Sequence, residues 1–268
     1  MNSDLLNSAS GIYTYCLTLP IPSLPTIMGI DNKHEVCLAE REGICAAISN
    51  VSLLEFNKDI LDINMTNIAW LAPLAKRHEE IIEAVMALTP VAPLRFCTIY
   101  TNQETLFKAI RDHKEKITNF LNYTVDKAEW SLKVFCDKAI FMDASEKKRS
   151  PQQTSLLPGE AYLLAKKMRK AQEETFKSNL QTNLEDIDFM LSRYAERRRF
   201  LHCADRGIHG KPLDMVLNTA FLIERHTFDL FRNCIGILTE KYKHAGLVFE
   251  FNGPWPPYNF CPDLNVVI

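Results

Sequence analysis

Apolar residues recur along this chain in two periods, and the alternation between them lays out its elements. Residues 11–19 (Gly-Ile-Tyr-Thr-Tyr-Cys-Leu-Thr-Leu) are dominated by aromatic and β-branched side chains, which predicts a strand ended by Pro20, Pro22 and Pro25. Short strands follow at 35–39 and 43–49, joined by a turn at 40–43, and residues 51–64 read as irregular. Leu74, His78, Ile81, Val85 and Leu88 then repeat at helical spacing. That predicts a helix starting near Leu71, with Pro73 in its first turn and Pro90 ending it. Residues 91–100 form the next strand, and Asn102 caps a helix over 103–121. Glu104 stands too early to complete a capping box, so only the single cap is expected.

The second half repeats the alternation. Residues 128–136 read as a strand with Trp130, Leu132 and Val134 on one face and Glu129, Ser131 and Lys133 on a wet one. Residues 143–155 are polar and read as a loop. A long amphipathic helix is predicted from 159 to about 200, a strand at 213–223, a helix at 224–244 closed by Gly246, and a strand at 247–251. This order predicts an α+β protein of two small domains, 1–122 and 123–268, with helices packed on mixed or antiparallel sheets.

The strand at 247–251 is expected to stop at Gly253, because three of the thirteen prolines stand at 254, 256 and 257. Residues 253–260 (Gly-Pro-Trp-Pro-Pro-Tyr-Asn-Phe) then form a stiff arm presenting Trp255, Tyr258 and Phe260. Such an arm loses little entropy on docking. It can latch the protein's own surface or grip a partner; the latch, with Trp255 and Tyr258 packing back on the fold, is the preferred reading.

Composition narrows the function. A net charge of −2 over 268 residues argues against nucleic-acid binding driven by counterion release. No apolar run is long enough to span a membrane. Residues 1–10 lack the pattern of a secretory signal, so a polar N-terminal extension is expected. The eight cysteines include no C-x-x-C pair and read as reduced, mostly buried thiols in a cytosol.

Catalytic motifs are missing: no Gly-rich phosphate loop, no G-x-S-x-G and no H-E-x-x-H. His78 lies on the apolar stripe of its helix and reads as a core histidine rather than a metal ligand or base. His202, Cys203, Asp205 and His209 supply only one half of a zinc-type site, so no metal and no cofactor are expected. Glu129 and Asp137 do not argue as a carboxylate pair. Cys97 with Arg95 or His78 is the one arrangement that suggests an enzyme, as a lowered-pKa nucleophile, against the plainer reading of a buried strand thiol. The basic stretches at 166–170 and 197–199 are flanked by acids and read as solvated helix faces.

Several of these segments, in order, resemble the gas vesicle protein F/L family (GvpF/GvpL). Val-Ala-Pro-Leu-Arg-Phe-Cys-Thr at 91–98 is similar to its Pro-Leu-Arg-Phe-Gly-Thr strand, preceded by a helix carrying His78. Tyr13-Thr14-Tyr15, the Glu-Trp-Ser-Leu-Lys-Val strand at 129–134, Gly159 with Tyr162 and Leu163, the Asn-x-Ala-Phe-Leu-Ile segment at 218–223 and the tail 253–260 complete the likeness. Cys97 stands where the family usually has Gly, and Asn259 where it often has Ser. The resemblance implies a ferredoxin-like C-terminal domain and a non-enzymatic role in assembling gas vesicles, located at the vesicle and in the cytoplasm. The implied partners are the small apolar shell protein (GvpA) and other accessory proteins. A minor place in the vesicle wall is also left open. Arg95, Phe96, Trp255, Tyr258 and Phe260 are the residues expected to meet a partner.

Overall fold

The computed structural model describes residues 10–146 and 158–264, with 143–146 and 158–165 as backbone alone. Of the polar extension expected at residues 1–10, all but Ser10, which opens a strand, lies outside the described residues, as does most of the loop expected at 143–155. Residues 143–146 are not loop but the end of a helix. The fold is α+β, and the chain divides into two units: Met1–Ala128 with Trp255–Ile268, and Glu129–Pro254. The sequence placed a single boundary near residue 122 and left the arm with the second half. The structure has the arm from Trp255 onward in the first unit, where Tyr258 and Phe260 find cover against its two cores.

The first unit is built on β1 (Ser10–Thr18), the strand expected from the apolar run. It pairs antiparallel with β3 (Ile44–Ser52), which pairs with β2 (Cys37–Arg41). On its other side β1 pairs with two short strands, β4 (Val91–Pro93) and β5 (Ile99–Tyr100). A register shift between Thr14 and Cys16 marks a bulge in β1, which puts Tyr15 and Cys16 in the same core although they are neighbours in sequence. Both faces of the sheet are covered. On one face lie α1 (Lys58–Asn64) and α2 (Ile68–Met86), whose Leu61, Ile81, Ile82 and Val85 join Tyr13, Tyr15 and Ala47. On the other lies α3 (Gln103–Tyr123), whose Leu106, Ile110, Ile117 and Leu121 join Leu17, Ile44 and Ala46. A strand buried on both sides has no wet face to alternate with, which is why β1 reads as a continuous apolar run.

Three local expectations change. Residues 58–64 are helical, because Asn57 caps them by accepting from the Ile60 N–H. Helix α2 begins at Ile68, capped by Asn67, so Pro73 falls inside it and offers no N–H to the preceding turn. Asn102 forms a full capping box with Thr105, whose hydroxyl does the work usually given to Glu or Gln.

The second unit is formed by β6 (Lys127–Cys136, from Glu129 on), α4 (Lys138–Glu146), α5 (Pro158–Ser192), β7 (Arg197–Phe200), the short α6 (Arg206–His209), β8 (Asp214–Glu224), α7 (Phe228–Tyr242) and β9 (Leu247–Trp255, up to Pro254). The sheet order is β7-β8-β6-β9. Without the two short helices the connectivity is β-α-β-β-α-β, that of a ferredoxin-like split. Helices α5 and α7 supply Ile187, Leu191, Phe231, Ile235 and Leu238 to the core over Leu132, Val134, Phe221 and Ile223. The long helix ends at Ser192, not near 200. Arg197, Arg198 and Arg199 form an exposed edge strand, where basic side chains discourage stray pairing. Glu129, expected on a wet face, is buried.

Strand β9 runs on through Pro254 to Trp255 rather than stopping at Gly253. As an edge strand it tolerates the missing Pro254 donor. Trp130 stacks on Phe251 and Phe228, with centroids 5.0 and 4.4 Å away. A Cβ at Gly253 would sit 2.7 Å from the Trp130 ring and 3.0 Å from the Glu129 carbonyl, and φ there is +143°. Only glycine fits that position.

Candidate functional site

Three of the singled-out segments meet in the first unit. The expected strand 91–100 is broken: β4 and β5 both pair with β1, and residues 94–98 loop out between them. Pairing resumes on either side of the break through Leu94 N–H to Tyr15 O and Thr14 N–H to Thr98 O, both 2.9 Å. Within the loop, the Arg95 carbonyl accepts from the Thr98 N–H and hydroxyl at 3.1 and 2.7 Å. Cys97 takes φ of 63°, the left-handed region that costs a side-chain-bearing residue about 1 kcal/mol.

A buried hydrogen-bond chain holds this loop. The Cys97 N–H donates to the Tyr13 hydroxyl at 2.9 Å. That hydroxyl lies 3.0 Å from His78 Nδ1, and His78 Nε2 lies 3.3 Å from the Leu94 carbonyl. A carbonyl only accepts, so the network assigns the ring proton to Nε2. Nδ1 is then an acceptor, and Tyr13 donates to it. Burial lowers the His78 pKa to about 4 despite the Leu94 carbonyl, so the ring is neutral at pH 7. Burial likewise pushes the Tyr13 hydroxyl well above its ordinary value, which keeps its proton for His78. Phe96 meets the imidazole edge-on at 5.6 Å.

Tyr15 does the same for another loop. Its hydroxyl accepts from the Ile30 N–H at 2.8 Å and lies 2.7 Å from Ser49 Oγ. Sequence reasoning saw the Tyr-x-Tyr pattern only as strand; the buried phenols, each needing a hydrogen-bond partner, were the signal of these two loop anchors.

The expected partner-binding residues separate into outward and inward groups. The Arg95 side chain is 87% exposed, 3.8 Å from Asp263. Trp255 is 37% exposed. Phe96 and Tyr258 pack against the core of α2, and the Tyr258 hydroxyl donates to Glu79 at 3.0 Å. Phe260 packs with Leu264 against the core of α3 on the opposite face of the sheet. The tail thus contributes side chains to both faces, with Pro256 and Pro257 buried between them.

Cys97 is buried, and burial raises its thiol to about 12, the opposite of what a nucleophile requires. The expected outcome with iodoacetamide at pH 7.5 is no Cys97 adduct in the folded protein and full labelling in urea, read by peptide mass spectrometry. Rapid native labelling would restore the enzyme reading. His209, from the one cluster of metal-type residues, accepts from the Lys211 N–H at 3.2 Å and faces the Phe135 ring edge at 5.2 Å. Among the described residues, no three His, Cys, Asp or Glu side chains converge to hold a cation, and no helix is long and apolar enough to cross a membrane.

Comparison with known proteins agrees with these motifs. The family model described as gas vesicle synthesis protein GvpL/GvpF matches residues 11–262. Gas vesicle protein L of a Streptomyces species is 24% identical over 252 residues, covering 93% of this chain and 92% of its own. Gas vesicle protein L1 of Halobacterium salinarum is 23% identical over 274 residues, covering 96% and 92%. The fold is similar to crystal structures of GvpF from Anabaena, with a TM-score of 0.72 and 95% and 97% of the two chains covered. GvpF from Microcystis aeruginosa matches at 0.67, with 94% and 99% covered. Both are 20% identical in sequence.

Proposed function

Because the chain belongs to the GvpL/GvpF family of gas vesicle synthesis proteins, we propose that its part in gas vesicle assembly is that of a non-enzymatic binding protein. Its partners on this reading are the small apolar shell protein, GvpA, and other accessory proteins. It acts in the cytoplasm and at the growing vesicle. The observation that supports this most is the chemistry of the hub: Tyr13, His78 and Cys97, the most reactive residue types in the matched motifs, are buried, neutral and committed to holding a loop. The family motifs are used for shape, and Arg95 is displayed on that shape. Within the reading, Arg95 and Trp255 touch the partner, while Phe96, Tyr258 and Phe260 hold the presenting segments in place. An unassembled apolar shell subunit exposes surface that aggregates, and a partner that covers it keeps it available.

The test is co-expression with the shell protein. The tagged chain is expected to co-purify with it, and a gas vesicle gene cluster lacking this chain is expected to yield no buoyant vesicles. Normal vesicles in its absence would sink the proposal. Retention on washed, floated vesicles would add a place in the wall.

A further inference from the structure

Helices α5 and α7 lie side by side in the second unit with opposed chain directions. Asp186 accepts from Lys241 Nζ at 2.9 Å and from the Tyr242 hydroxyl at 2.7 Å. About two turns further along α5, Arg193 comes near Cys234, which stands about two turns back from Lys241. Burial raises the Cys234 thiol, and the nearby Arg193 charge partly offsets the rise. Phe189 and Ile237 fall between these two contacts, so they are neighbours across the junction of the helices.

Both are turned outward. Phe189 and Ile237 are each 64% exposed, and Leu230, about two turns back along α7, is 54% exposed. The inward sides of the same helices already supply the core with Ile187, Leu191, Phe231 and Leu238. The outward residues are therefore a second apolar stripe, and a stripe of that kind marks a contact surface.

The charges on that face say what meets it. Glu185, Phe189 and Arg193 stand at i, i+4 and i+8 along α5, on one side of the helix, and all three are exposed. Neighbouring ions are paired off: Asp186 with Lys241, Asp229 with Arg232, and Glu240 with Lys243. Among the described residues no ion pair engages Glu185 or Arg193. Glu185 accepts from the Gln181 amide at 2.8 Å, which is neutral and leaves the carboxylate charge uncompensated. The stripe thus runs acid, ring, base, with the ring at its centre, and it is complementary to itself reversed. When Phe189 of one copy packs on Phe189 of another about a two-fold axis, the two α5 helices run antiparallel. Glu185 of each copy then meets Arg193 of the other. A parallel pairing in register would set like charges together. We propose that this chain self-associates through the outer face of α5 and α7, as a two-fold dimer centred on Phe189 and flanked by two Glu185–Arg193 pairs, with Ile237 widening the apolar contact. The inference goes beyond the assembly reading and does not depend on it.

Sedimentation velocity of the full chain over about 1 to 100 μM tests it. The wild type is expected to pass from monomer to dimer, and Phe189→Asp to stay monomeric. Glu185→Arg sets arginine against Arg193, and Arg193→Glu sets glutamate against Glu185. Each alone is expected to weaken the dimer about tenfold or more. An equimolar mixture of these two variants restores both opposite-charge pairs, and is expected to form a heterodimer about as tight as the wild-type dimer. All three positions are exposed, and unchanged circular dichroism confirms that the variants fold; rescue on mixing cannot come from misfolded chains. A wild type that is monomeric throughout overturns the inference. So does a dimer that Phe189→Asp leaves intact, since the contact then lies elsewhere, or a mixture no tighter than either variant alone. A monomeric wild type whose capture of the shell protein is lost in Phe189→Asp also overturns it, because the face then belongs to that partner.

Discussion

Tyr13→Phe, the loss of one oxygen atom, is expected to lower the unfolding free energy by about 3 kcal/mol at pH 7. The hydroxyl serves two buried groups at once, the Cys97 N–H and His78 Nδ1. Its removal leaves a donor and an acceptor without partners in a region that water does not reach, and each such group costs about 1–3 kcal/mol. The ring still fits, so no cavity confuses the result. Urea unfolding followed by tryptophan fluorescence measures it; a loss below about 1 kcal/mol would show that the loop is held by packing alone. The same hub makes a pH prediction. An unfolded histidine takes up its proton near 6.5, while buried His78 resists protonation until about 4. Between those values the unfolded chain binds the proton and the folded chain does not, so the stabilisation from neutral His78 is complete above pH 6.5 and is lost as pH falls toward 4. The difference amounts to about 3 kcal/mol. Carboxylates add their own loss in acid, so the contribution is isolated with His78→Gln. That variant is expected to start less stable at pH 7 and to lose clearly less than the wild type between pH 7 and pH 4.5.

Tyr258→Ala is expected to cost a further amount of the same size, about 3 kcal/mol, and to lower Tm by about 10 °C. Its ring packs against the α2 core, and its hydroxyl satisfies the half-buried Glu79, whose carboxyl burial pushes up. Trp255→Ala, at the exposed start of the same segment, is expected to lower Tm far less. The contrast separates the two uses of the arm. A tail that latches the first unit loses stability at Tyr258 and Leu264, whichever partner is present. Loss of shell-protein binding in Tyr258→Ala with an unchanged Tm would mean instead that the tail grips the partner. The two experiments together divide the tail residue by residue into those that hold the fold and those that display a surface.

Much of the local structure was legible in the residues. The helical spacing of Leu74, His78, Ile81 and Val85 marked the buried face of α2, and the mixed aromatic and β-branched run of β1 marked a strand. Asn102 as a cap and Gly246 in the left-handed position after the last turn were read correctly, because capping depends on side chains within three or four residues. The misreadings have the same root. Arg197–Phe200 looked like the end of a charged helix because a polar edge strand has no apolar alternation to announce it; its pairing with residues 219–222 of β8 makes it a strand. Residues 91–100 looked like one strand because each half pairs with β1, and the break is set by where Tyr13 and His78 need partners.

The periodic faces of the helices, the strand character of β1, the caps and the family motifs follow from the residues alone, because those depend on near neighbours along the chain. The meetings of Tyr13 with His78 across 65 residues and with Cys97 across 84, and of Tyr258 with Glu79 across 179, are set by the folded chain. The physical reason is that a buried polar group must find a partner wherever packing places one. That choice is made by the whole core, so local spacing carries no record of it.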